Sequence, residues 1–230
     1  MHDAGFCLCT KSFIKNNNID DFLHRDELDY LEKLKVEQRR QSFLLGRIAA
    51  KQAIASLVKV NDLTTIAIQY GVFQFPVVKH NFNNNLQVTI SHSHDVGVAL
   101  AFCEEHPMGV DIERIVPARL NAIKDNLSDS ELELLENSRL SLIEGCTAIW
   151  TMKEGLSKAL KTGLTVDFKV LEIILLKNHG LYLTCTFKYF AQYKAICFPV
   201  SDYFCSIVLP RNTDIDSADI ALMFSGLIIV

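Results

Sequence analysis

The chain has 230 residues, of which 49% are hydrophobic and 22% charged, and a formal net charge of -4. That length admits one compact unit or two half-size lobes with a sizeable core. The acidic balance excludes a general nucleic-acid or membrane-surface binder, because such a role needs a basic field over much of the surface. No apolar run approaches the roughly 20 residues that span a bilayer, and the residues after Met1 lack the regions of a secretory leader, so a cytoplasmic protein is expected. The seven cysteines, Cys7, Cys9, Cys103, Cys146, Cys185, Cys197 and Cys205, sit mostly in apolar runs without paired metal-ligand spacing and read as reduced thiols.

In chain order, residues 5–13 read as a short strand. From Asp26 to about Val58, Leu31, Leu34, Phe43, Leu44, Ile48, Ala49 and Ile54 recur at helical spacing and predict one or two amphipathic helices. Segments 64–69, 86–90 and 96–102 are short and β-branched or alternating, and are predicted to form the sheet of a first lobe. A second lobe repeats this order: a strand over 109–113, a helix opening at Ser128, another over 147–161, then strands near 168–175, 181–187, 195–198 and 203–209. Ser128 and Glu131 have capping-box spacing, which supports the helix start. The apolar stretch 221–230 reads as a terminal core strand. The order of elements suggests a pseudo-duplicated α+β protein with lobes 1–105 and 106–230, although no residue-level repeat is visible. A cleft between lobes is the natural ligand site.

Gly109-Val-Asp111-Ile-Glu113 places two carboxylates on one face of a strand, an arrangement suited to a hard cation such as Mg²⁺. Alone, the pentapeptide is more commonly an alternating strand with its polar face in water. Trp150, Lys153, Glu154, Lys158 and Lys161 lie on one helical stretch, with Glu154 and Lys158 at i,i+4. An ordinary surface ion pair beside a core tryptophan fits that spacing. So does a carboxylate that completes a metal's ligands while the lysine neutralises a phosphate. Ile90-Ser91-His92-Ser93-His94 ends a strand with groups able to donate to phosphate oxygens. Arg39, Arg40, Arg47 and Lys51 cluster on one helix, as a solvated face or as a holder for a terminal phosphate.

These four blocks, in this order over about 39–164, resemble the Sfp-type 4'-phosphopantetheinyl transferases. The resemblance implies two similar α+β lobes with the active site, coenzyme A and Mg²⁺ between them. It implies transfer of the phosphopantetheine arm of coenzyme A to a serine of an apo acyl or peptidyl carrier protein, with release of 3',5'-ADP. Asp111, Glu113 and Glu154 match the family's metal carboxylates, Lys158 its phosphate-contacting lysine, and Ser91 and His92 its coenzyme A pair. Arg39 and Arg47 look like its contacts to the 3'-phosphate end, and Glu154 is the best candidate general base. A monomer without nucleic-acid or membrane partners is expected; the alternative is a catalytically silent coenzyme A- or carrier-binding protein of the same fold. Two positions depart from the family: Phe75 stands where a lysine is usual, and Lys161 where a glycine is. The second departure predicts either a longer helix or an added phosphate contact.

Overall fold

A computed structural model gives the fold and describes residues 3–71, 74–80, 85–213, 215–216, 220 and 224. They divide into two compact units between Pro107 and Met108. Among the described residues no helix is long and apolar enough to cross a membrane.

The N-terminal unit opens on β1 (Gly5–Thr10), shorter than the predicted strand. The Thr10 hydroxyl accepts from the Phe13 amide at 3.3 Å and starts α1 (Lys11–Asn16). The predicted helical stretch is two helices, α2 (Arg25–Lys33) and α3 (Glu37–Val58). A capping box of His24 and Glu27 opens α2, and Arg40 closes it by donating to the Leu31 and Leu34 carbonyls. Strands β2 (Ala67–Tyr70), β3 (Pro76–Lys79), β4 (Leu86–Ser93) and β5 (Val96–Cys103) follow. The main sheet is antiparallel in the order β1-β5-β4, and Leu45, Ile48, Ala49 and Ile54 of α3 share one core with Val88, Ala99 and Ala101. The predicted single first-lobe sheet is corrected in one respect: β2 pairs with β3 in a separate two-stranded sheet, preceded by a 3₁₀ turn at Leu63–Thr65.

The C-terminal unit runs β6 (Gly109–Arg114), α4 (Leu120–Lys124), α5 (Asp129–Glu136), α6 (Leu142–Ala159), β7 (Ile173–Asn178), β8 (Leu183–Phe187), β9 (Tyr193–Val200) and β10 (Tyr203–Pro210). The capping box at Ser128 and Glu131 forms as predicted, and Ser141 with Glu144 makes another at the head of α6. Strand β7 begins later than expected because Asp167 caps a 3₁₀ turn over Phe168–Leu171. The strand predicted over 221–230 lies outside the described residues apart from Phe224. The sheet is antiparallel in the order β6-β10-β9-β8-β7, and its core joins Ile149, Met152 and Leu156 of α6 to Phe187, Phe204 and Val208.

Each unit places its first strand beside its last, with a long helix across the sheet. A residue-level repeat, hidden in the sequence, accompanies this topology. A Cβ on Gly5 would collide with the Ala53 carbonyl of α3, and a Cβ on Gly109 with the Gly155 carbonyl of α6, so each glycine lets its helix approach closely. In the N-terminal unit Glu27 accepts the His24 amide at 2.9 Å, the Ile68 amide at 3.0 Å and the ammonium of Lys51 at 2.6 Å. In the C-terminal unit Glu131 accepts the Ser128 amide at 2.8 Å, the Ile173 amide at 3.0 Å and the ammonium of Lys153 at 2.9 Å. Lys51 and Lys153 are fully buried. Burial pulls their pKa down, and the facing glutamates pull it back up. Both long helices are followed by a left-handed lysine, Lys59 (φ 59) and Lys161 (φ 55), each eight residues beyond its buried lysine.

Candidate active site

Alternation along β6 puts Gly109, Asp111 and Glu113 on the face that packs against α6. Because Gly109 has no side chain, α6 lies near enough for Lys158 to reach the strand. Its Nζ donates to Asp111 Oδ1 at 2.7 Å, with Asp111 buried and Lys158 a quarter exposed. The sequence suggested a Glu154–Lys158 pair; the lysine instead turns to Asp111. Glu113 is held by Arg119, whose Nη1 donates to Glu113 Oε2 at 2.7 Å. The Glu154 carboxyl is pushed up to about 7, first by burial and then by the negative charge of Asp111; Lys158 offsets part of this, and Glu113 adds to it.

The three carboxylates therefore share one electrostatic neighbourhood, and their donors are all oxygens, the set a Mg²⁺ ion takes. Their mutual repulsion is what a cation would relieve, so in donor chemistry, though not in their present spacing, these residues fit the ion. Among the described residues no three His, Cys, Asp or Glu side chains are gathered at metal-holding spacing as they stand. Asp111 and Glu113 are drawn to Lys158 and Arg119 instead.

The raised pKa of Glu154 carries a sign. A carboxyl that holds its proton more tightly when folded costs stability as pH rises from about 4.5 to about 7. Glu154→Gln keeps the neutral form at every pH. With chelator present, the variant is expected to exceed the parent chain by about 1–3 kcal/mol at pH 8 and by nothing at pH 4, measured by urea unfolding.

Other residues of the motif have different tasks. Trp150 fills core, stacked on Phe168 with centroids 4.6 Å apart. Lys153, given no role by the sequence, binds Glu131 and so fixes α6 to the start of α5; the capping box was the one signal that could have found it. At Lys161, the predicted longer helix does not form: α6 stops at Ala159, and Lys161 takes the left-handed conformation that a glycine adopts freely.

In the N-terminal unit, Arg39, Arg47 and His92 line one open groove of about 480 Å³, together with Tyr30, Phe43 and Tyr70. The basic helix face predicted from Arg39, Arg40, Arg47 and Lys51 is not a single patch. Arg39 is exposed, Arg40 caps α2, Lys51 is buried on Glu27, and Arg47 lies between the Phe43 and Tyr70 rings at 5.1 and 4.7 Å. Alternation along β4 puts the side chains of Ser91 and His92 on opposite faces, His92 exposed and Ser91 buried. Phe75 packs beside Gly71 while its neighbours Gln74 and Pro76 line the groove.

The internal repeat explains why the charged set occurs once. Cys7 and Cys9 stand after Gly5 where Asp111 and Glu113 stand after Gly109, and Gln52 and Ser56 stand after Lys51 where Glu154 and Lys158 stand after Lys153. The Cys7 thiol donates to Gln52 Oε1 at 3.1 Å, and burial pushes the Cys7 and Cys9 thiols up to about 11 and about 12. These four positions of the N-terminal copy are thus uncharged.

Residues 107–208 match the 4'-phosphopantetheinyl transferase superfamily signature (ACPS). The chain is 28% identical over 114 residues to a holo-[acyl-carrier-protein] synthase of Acholeplasma laidlawii (strain PG-8A), an alignment covering 45% of this chain and 97% of that relative. Among solved structures, the holo-(acyl-carrier-protein) synthase of Bacillus anthracis str. Ames in complex with CoA (3',5'-ADP) is 23% identical, over 44% of this chain and 93% of that one, with a TM-score of 0.40. The Helicobacter pylori holo-[acyl-carrier-protein] synthase in complex with coenzyme A is 17% identical, over 44% of this chain and 100% of that one, with a TM-score of 0.36. The stretch that matches the superfamily carries Asp111, Glu113, Glu154 and Lys158.

Proposed function

We propose that this protein is an Sfp-type, Mg²⁺-dependent transferase that moves the 4'-phosphopantetheine arm of coenzyme A to a serine of an apo carrier protein and releases 3',5'-ADP. The observation that carries the reading is the buried Asp111–Lys158 pair beside Glu154, within the stretch that matches the superfamily. On this reading Asp111, Glu113 and Glu154 hold Mg²⁺, which when bound supplies neutralisation of the pyrophosphate charge. Lys158 steadies a phosphate oxygen. The carrier serine oxygen forms the new bond to the β-phosphorus, the bond to the leaving 3',5'-ADP breaks, and the serine proton passes to Glu154.

The groove of Arg39, Arg47 and His92 is assigned the nucleotide end of coenzyme A: guanidinium forks match phosphate oxygens, and the aromatic walls suit a base. On this reading the protein is a cytoplasmic monomer with one site per chain, in the unit that carries the carboxylates. The test is direct. Incubation with coenzyme A, MgCl₂ and apo carrier proteins is expected to add the mass of one phosphopantetheine to the carrier serine, and to lose that product in chelator. Unchanged carrier mass across both acyl and peptidyl carriers would overturn the reading in favour of a silent binder.

A further inference from the structure

The two cations that hold the carboxylates of the C-terminal unit are placed differently. Lys158 rises from the last turn of the sheet-covering helix α6 to a buried aspartate. Arg119 comes from the short turn Pro117–Arg119 just after β6, with its side chain 42% exposed against 18% for Glu113. That turn is fixed at the backbone by the Arg119 amide on the Val116 carbonyl at 2.9 Å, and Leu120 packs on the core behind it. Only the guanidinium is therefore able to leave, and it leaves into water, where an ion pair of this exposure is worth little.

A guanidinium and a divalent cation bound to one carboxylate repel each other at short range. We propose that Arg119 is a latch on Glu113: the divalent ion gains Glu113 as a ligand only by displacing the Arg119 guanidinium, so Arg119 sets the affinity of the site for its ion. This rests on the reading of Asp111, Glu113 and Glu154 as the metal set. Arg114 supplies the contrast. It neighbours Glu113 in sequence but lies on the other face of β6, where it binds Asp202 at 2.6 Å. Removing Arg114 subtracts the same charge from the same segment and leaves the Arg119–Glu113 pair in place.

The experiment titrates Mn²⁺ into the full-length chain, with free ion followed by electron paramagnetic resonance and no substrate present. Arg119→Gln is expected to bind Mn²⁺ about 3- to 10-fold more tightly than the parent, and Arg114→Gln to differ from the parent by less than about twofold. In a Glu113→Gln background, adding Arg119→Gln is expected to change the affinity by less than about twofold, since there is no carboxylate left to unlatch. Equal gains from Arg119→Gln and Arg114→Gln, or weaker binding by Arg119→Gln, would overturn the latch while leaving the metal reading standing. Absence of Mn²⁺ binding by the parent and every variant would overturn the metal reading and the latch with it.

Discussion

Asp111→Asn is expected to lower kcat/KM for carrier modification by about 10²- to 10³-fold, with little loss of stability. The substitution keeps the size of the side chain but removes the charge that Lys158 and, on the proposed reading, the metal both need. Its small structural cost follows from Lys158, which is a quarter exposed and able to turn to water once released. The measurement pairs steady-state kinetics with circular dichroism and urea unfolding. A loss of only a few-fold would remove Asp111 from the metal set. Cys7→Ser at the equivalent place in the N-terminal copy provides the comparison. It preserves the hydrogen bond to Gln52 and is expected to leave turnover within about twofold.

The second large effect is on folding. Lys153→Ala strips Glu131 of its cation where both side chains are fully buried, and is expected to destabilise the C-terminal unit by about 3–5 kcal/mol. Glu131 keeps the Ser128 and Ile173 amides but retains a charge those amides do not balance. A paired Lys153→Met, Glu131→Gln variant leaves no buried charge and is expected to recover part of the loss. Lys51→Ala makes the same lesion in the N-terminal unit at smaller cost, because Arg47 Nε lies 3.8 Å from Glu27 and supplies a second positive charge. Urea unfolding followed by hydrogen exchange in each unit separates the two. Equal losses from Lys51→Ala and Lys153→Ala would mean that Arg47 gives Glu27 no support.

Several features were legible because they depend on neighbours in the chain. The capping box at Ser128 and Glu131 is a matter of four consecutive residues, and the strand carrying Asp111 and Glu113 follows from alternation. The basic cluster failed for the opposite reason. Arg39, Arg40, Arg47 and Lys51 share a helix, but what each does depends on elements far along the chain: the carbonyls ending α2, the ring of Tyr70, and the carboxylate of Glu27. Helical spacing likewise put Glu154 beside Lys158, whereas the nearer anion in space was Asp111, 47 residues away.

By itself the sequence determined which residue types were available: an acidic strand, a Lys-Glu helix and two α+β halves, in an order that resembles one family of transferases. Tertiary structure alone decided which charges meet, and it alone brought the repeat into view. The halves share few residue identities because only a handful of positions are constrained in three dimensions. Gly5 and Gly109 lie under a helix, Glu27 and Glu131 hold a buried lysine and two backbone amides, and Lys59 and Lys161 end a helix. At the site positions the halves differ: Cys7, Cys9 and Gln52 stand in one where Asp111, Glu113 and Glu154 stand in the other. The physical reason is burial: an unpaired charge inside a protein is too costly to keep, so the half-site without carboxylates holds neutral side chains that satisfy one another.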